Sequence, residues 1–214
     1  MKKYFTHNYV FIKILSIALL LVSCSDDLLV EEPESFLTPS NAFVDADSYN
    51  AAIAELHRLS RGLRTSEIVD EYAPKDYQSD KAVSTIYANG TDIAWFAVTS
   101  QNQFTDYAKI NSTNTIVSVY WKILYKMIAN ANTIVANITV SELNQEDKLR
   151  IEGNARFFRA FAYRFLVYLY GDVPLVTAEI TTPRFDFTRA PVNDVLAFMK
   201  EDLEFASANL PSQN

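Results

Sequence analysis

One cysteine, two histidines and four glycines are all that the 214 residues contain of the types that staple, ligate and bend a chain. With Cys24 alone, no internal disulfide can form. The two histidines, His7 and His57, give no basis for a paired metal centre. A Ser/His/Asp triad built on His57 would be an arbitrary assembly, and a lone helical histidine reads as a polar surface residue. Scarce glycine, with only seven prolines, argues against an all-β architecture, which needs many turns. There is neither a phosphate loop nor a dinucleotide fingerprint. Basic residues are also short: 19 lysines and arginines face 26 acids, for a formal charge of −7. Nucleic acid would be repelled, and neutral ligands or protein partners fit better.

The start of the chain carries an address. Lys2, Lys3 and Lys13 precede an apolar run from Ile14 to Val22 and a small residue, Ser23. That order reads as a secretion signal. The run is too short for a helical membrane span, which needs about 20 residues. Leu21-Val22-Ser23-Cys24 resembles the lipobox of bacterial lipoproteins, in which the cysteine is acylated before cleavage. Residues 1–23 are thus expected to be a signal peptide and Cys24 the lipidated N-terminus. A plainer alternative is a secreted protein with a spare thiol. Acyl chains contribute about 0.8 kcal/mol per inserted CH₂, enough for two or more to hold the chain on a membrane. Losing a leader with three lysines and no acid takes the formal charge from −7 to −10. Ser25, Asp26 and Asp27 resemble a tag that sends lipoproteins of some glycan-degrading Gram-negative bacteria to the outer cell surface.

The mature chain, roughly 190 residues, can bury one substantial core. Residues 24–46, with Pro33 and Pro39, read as a tether and wrapping segment, and 47–214 as a helical domain. Tyr49, Ile53, Leu56 and Leu59 predict a first helix capped by Asp47 and stopped by Gly62. Residues 63–111 show no period and form a long irregular insertion, a length of loop that a compact domain seldom keeps without use. A second helix is expected from Thr113 to Ile138, with Ile116, Tyr120, Ile123, Met127, Ile134 and Ile138 in its stripe, widened by Trp121, Leu124 and Ile128. Asn144 would cap a third helix with Ile151, Ala155, Phe158, Ala162, Phe165 and Leu169 facing inward, ended by Gly171. Thr177 to Phe187 reads as a connector with some strand-like alternation. Pro191 begins a fourth helix, with Val195, Met199, Leu203, Ala206 and Leu210 on one face and Pro211 at its end. The fold class is therefore all-α. Helices two and three form an antiparallel hairpin whose alanines (129, 131, 136, 155, 160 and 162) allow close approach, an architecture resembling tetratricopeptide units.

Glu152 to Tyr163 (EGNARFFRAFAY), followed by Leu169 to Val176 (LYGDVPLV), resembles the hallmark segment of SusD/RagB-family outer-membrane lipoproteins. Glu31-Glu32-Pro33, Ala131 to Val135 and Arg189-Ala190-Pro191-Val192 ahead of Asp202-Leu203 extend the resemblance over most of the mature chain. It implies a surface-exposed, non-enzymatic receptor that captures oligosaccharide and docks as a lid on a SusC-type TonB-dependent outer-membrane channel, with no cofactor. Family members are longer, so the chain looks like their N-terminal part. A helical surface protein that binds a peptide or protein partner is the alternative, followed at lower weight by a glycoside hydrolase, which needs two carboxylates across a sugar.

Arg156 and Arg159 could form an anion clamp, but they fit better as partners of nearby carboxylates that also cover aromatic surface. Neutral glycan binding needs flat rings with amides or carboxylates at their edge. Tyr87, Trp95, Phe96 and Asn102 in the irregular segment supply both and are the candidate sugar contacts. The competing reading of Trp95 and Phe96 is that they plug that segment onto the core.

Overall fold

The computed structural model describes residues 42–63, 111 and 115–211, with the Ile116 side chain excepted. Cys24 and the rest of the tether through residue 41, Tyr87, Trp95, Phe96, Asn102 and Thr113 lie outside the described residues, whereas 42–46, assigned to the tether and wrapping segment, are described and lead into α1. Among the described residues the chain forms four helices in the order α1 (Ala46–Gly62), α2 (Thr115–Val140), α3 (Gln145–Tyr170) and α4 (Val192–Asn209). None of them is long and apolar enough to cross a membrane. α3 packs along both α2 and α4, and α1 lies against α2 and α3.

The cap of α1 differs from the expectation. Asp45, not Asp47, closes the helix start: the Ser48 amide donates to Asp45 Oδ1 at 2.8 Å, and the Asp45 amide donates to Ser48 Oγ at 3.2 Å. The reciprocal box requires a partner three residues on, and Asp45 has it in Ser48. Asp47 instead sits in the first turn, where its charge complements the helix dipole. Gly62 is the last residue of α1. Asn144 caps α3 as expected, its Oδ1 accepting from the Asp147 amide at 2.9 Å.

Tyr49, Leu56 and Leu59 of α1 are buried against Tyr120, Ile123, Leu124, Met127 and Ile128 of α2 and Ile151, Ala155, Phe158 and Leu166 of α3. Burying such side chains stabilises by about 1.5–3 kcal/mol each. Ala131, Ala155, Ala160 and Ala162 are in the core, whereas Ala129 and Ala136 are exposed and do not serve helix approach. Gly153 has a close-packing role: a Cβ there would meet Leu210 Cδ2 at 3.2 Å. His57 is exposed, its ring set edge-on to Phe158 with centroids 4.6 Å apart.

In α4 the buried face is Val195, Met199, Asp202 and Ala206. Leu203, expected inside, is 42% exposed, and Asp202 is buried in its place. Val195, Met199 and Ala206 face inward as expected, and the face departs from the apolar expectation only where Arg159 holds the Asp202 carboxylate inside.

Gly171 ends α3 at φ 70°, ψ −125°, and a Cβ added there would find no atom within 4 Å. A side chain at this position meets no neighbour and strains only the backbone. Gly171→Val is expected to lower the unfolding free energy by about 1–3 kcal/mol in a urea titration. An unchanged midpoint would show that the exit turn tolerates an ordinary residue.

Candidate functional site

The connector between α3 and α4 is held by side chains instead of a sheet. Its two ends meet in one antiparallel bridge, Val173 with Ala190, the Ala190 amide donating to the Val173 carbonyl at 2.9 Å. Arg189 Nη1 donates to the Asp172 carbonyl at 2.7 Å. The Asp172 carboxylate accepts from the Val192 amide at 3.0 Å and so covers the start of α4, which Pro191 cannot cap with a side chain. The hallmark Gly171, Asp172 and Pro174 thus shape the exit turn, and Asp172 has a capping task that spacing along the chain did not reveal.

Between these ends, residues 174–178 lie across α2 and α3. Tyr125 Oη donates to the Pro174 carbonyl at 2.8 Å. Asn132 Nδ2 donates to the carbonyls of Val176 and Ala178 at 3.1 and 3.0 Å. Tyr163 Oη accepts from the Val176 amide at 2.7 Å and donates to its carbonyl at 3.1 Å. These side-chain partners take the place of a neighbouring strand for residues 174–178, and Thr177 to Phe187, read as having some strand-like alternation, lies between the two ends of the bridge without forming a strand.

Beneath lies a buried ionic network. Arg159, only 3% exposed, donates through Nε and Nη2 to both oxygens of the fully buried Asp202, each at 2.7 Å. Its Nη1 donates to Asn132 Oδ1 at 2.6 Å and to the Thr177 carbonyl at 3.2 Å. Its guanidinium lies 4.7 Å over the Phe198 ring. Arg156 pairs with Glu152 at 2.6 Å and lies 4.2 Å over Phe205. Both arginines therefore have the carboxylate and aromatic partners expected of them, and neither reaches outward as an anion clamp.

Burial pushes the Tyr163 hydroxyl up to about 12 and raises that of Tyr125 as well. In both, the fold favours the protonated phenol. The unfolded chain loses its proton first, near pH 10, so this stabilisation is complete below pH 10 and is lost as pH climbs towards 12. Alkaline unfolding should therefore weaken the wild type by on the order of 2 kcal/mol through Tyr163 across that window. Tyr163→Phe should flatten this limb; an identical slope in the variant would assign the alkaline loss elsewhere.

Above the network, one face of α2 and the connector enclose a groove of about 410 Å³. Trp121, Tyr125, Ile128 and Thr133 of α2 line it together with Glu179, Ile180 and Phe187 of the connector. The Trp121 and Tyr125 rings are tilted by 43° with centroids 4.8 Å apart, and Tyr170 supports Trp121 edge-on at 5.0 Å. Thr133 Oγ1 donates to Glu179 Oε1 at 2.9 Å. Sequence reasoning treated Trp121 only as core. The available signal was the helical spacing of Trp121, Tyr125, Ala129 and Thr133, which places them on one face. Among the described residues no cluster of His, Cys, Asp and Glu is arranged to hold a metal.

Antiparallel helix pairs whose connector is clamped by a buried arginine and its carboxylate define a tetratricopeptide-like helical scaffold. Residues 42–214 match the model of a SusD-like family described as "Starch-binding associating with outer membrane". The chain belongs to this SusD-like family. Among relatives, it is 27% identical over 215 residues to SusD-like protein P2 of Formosa agariphila, covering 99% of this chain and 39% of that protein. Among solved structures, it is similar to a SusD-like carbohydrate binding protein from Bacteroides fragilis, at 26% identity and TM-score 0.63, covering 78% of this chain and 32% of that one. A structure described as a laminarin binding SusD-like protein matches at 21% identity and TM-score 0.62, covering 79% and 35%. The chain spans well under half the length of these relatives.

Proposed function

We propose that the chain is part of a lipid-anchored surface receptor that captures oligosaccharides and hands them to a SusC-type TonB-dependent channel, without catalysing their cleavage. The family match across 42–214 carries this reading, and similarity to proteins described as carbohydrate-binding and laminarin-binding supports it. Acylation of Cys24 behind a leader of residues 1–23, and residues 24–46 as tether, belong to the same proposal, as does exposure on the cell exterior. Anchoring the receptor beside its channel would raise the effective ligand concentration there. Tyr87, Trp95, Phe96 and Asn102 remain the proposed sugar contacts of the segment after α1.

Calorimetry with a panel of soluble neutral oligosaccharides tests the binding step: at least one member should bind, and no reducing ends should appear on incubation. Silence across the panel from folded protein would remove the carbohydrate reading. Release of sugar would replace it with hydrolysis. For the anchor, Cys24→Ala should leave the membrane fraction of expressing cells, and retention there would reject lipidation.

A further inference from the structure

We infer that the groove between α2 and the connector is a carbohydrate subsite, taking a neutral sugar whose C–H face lies on Trp121 and Tyr125 and whose hydroxyls donate to Glu179. The inference rests on the carbohydrate-binding reading but places a binding point outside the segment that holds Trp95.

Four observations converge on this ligand chemistry. The lining includes the paired rings of Trp121 and Tyr125 and the ring of Phe187, surfaces suited to the apolar face of a pyranose. Its volume, about 410 Å³, falls at the low end of small-ligand pockets. The lining carries a carboxylate: Glu179 takes one hydrogen bond from Thr133 and has no ion-pair partner among the described residues. Such a group in an apolar lining calls for donors, which a sugar supplies and a purely apolar segment does not.

The fourth observation concerns charge. Arg184 is committed to both Asp186 oxygens at 3.0 Å, while Arg189 bonds the Asp172 and Tyr170 carbonyls through Nη1 and its guanidinium lies 5.9 Å over the Trp121 ring. No lysine or arginine lines the groove among the described residues, and Glu179 is its one charged lining residue, so it favours an uncharged ligand over an anionic one. Asn132, Tyr125 and Tyr163 already fix the floor, so a ligand need not order it.

The chain holds two tryptophans, Trp95 and Trp121, which makes the groove separately visible. In Trp95→Phe, Trp121 is the only indole emitter. Neutral gluco-, xylo- and manno-oligosaccharides are titrated into this variant by fluorescence and calorimetry, because Trp95 is itself a proposed sugar contact, and into the wild type by calorimetry. The expected result is a shift of Trp121 emission that saturates at the concentration where calorimetry reports binding. Glu179→Ala, at a residue lining the groove, should weaken that binding at least tenfold with an unchanged circular dichroism spectrum. Phe187→Ala should act in the same direction.

If a sugar binds the wild type while the Glu179→Ala affinity stays constant, or binds Trp95→Phe by calorimetry while Trp121 emission stays constant, the groove proposal is overturned and carbohydrate binding stands, located elsewhere. If no neutral sugar binds, both readings fall. A shift produced only by a cationic ligand such as a polyamine, with the sugars silent, also overturns the proposal.

Discussion

Asp202→Ala unfolds at a much lower urea concentration than the wild type, with an expected loss of about 3–5 kcal/mol. The cause is the arginine left behind. Arg159 is almost wholly enclosed, and both of its bonds to the carboxylate disappear together. Asn132 and the Thr177 carbonyl remain as partners, but neither carries a charge to compensate the guanidinium. Arg156, 3.7 Å from the same carboxylate, loses its second acid as well. The decisive comparison is the double variant Arg159→Met with Asp202→Leu. Removing both charges leaves no buried ion without its partner, so part of the loss should be recovered, less the cost of fitting the larger leucine. Urea titrations followed by far-ultraviolet circular dichroism read both. A loss below about 1 kcal/mol in Asp202→Ala would place the pair among weak surface bridges, contrary to its burial.

Asn132→Ala is expected to destabilise by about 3 kcal/mol, a sum of one bond to a charged group and two to backbone carbonyls. The amide is a junction of α2, α3 and the connector. Its oxygen accepts from Arg159 and its nitrogen serves Val176 and Ala178. Once it is gone, the Ala178 carbonyl loses its side-chain donor, while Val176 still has Tyr163. Hydrogen exchange distinguishes this effect from general weakening: the amides near residues 176–178 should exchange faster at denaturant concentrations where the core of α2 and α3 stays protected. Uniform acceleration throughout the helices would show that Asn132 acts on the core and not on the connector.

The helices were legible because their buried faces recur at helical spacing: Tyr120, Ile123, Met127, Ile134 and Ile138 in α2 are all buried. Asn144 and Gly171 were legible for the same local reason, since caps and exit turns depend on adjacent residues. What escaped depended on partners distant in sequence. Asp202 has the sequence setting of a surface acid, and Arg159, 43 residues earlier, holds it inside with Arg156 3.7 Å away. Asp172 caps a helix beginning 20 residues later. The groove was hidden because Trp121 and Tyr125 have the composition of core, and only the path of the connector shows that their outer faces line a cavity. The candidates Tyr87, Trp95, Phe96 and Asn102 lie outside the described residues.

The joined feet of the connector have an evolutionary consequence. Val173 and Ala190 fasten the two ends beside the helices, while Phe185 near the crown is 95% exposed. Residues 179–188 therefore behave as a replaceable cassette on a fixed frame. Doubling the length of such a loop costs only about 0.6 kcal/mol in closure entropy. Variation in length and chemistry can accumulate at the crown while selection on packing acts below the bridge, so new recognition surfaces can arise without renegotiating the helical scaffold.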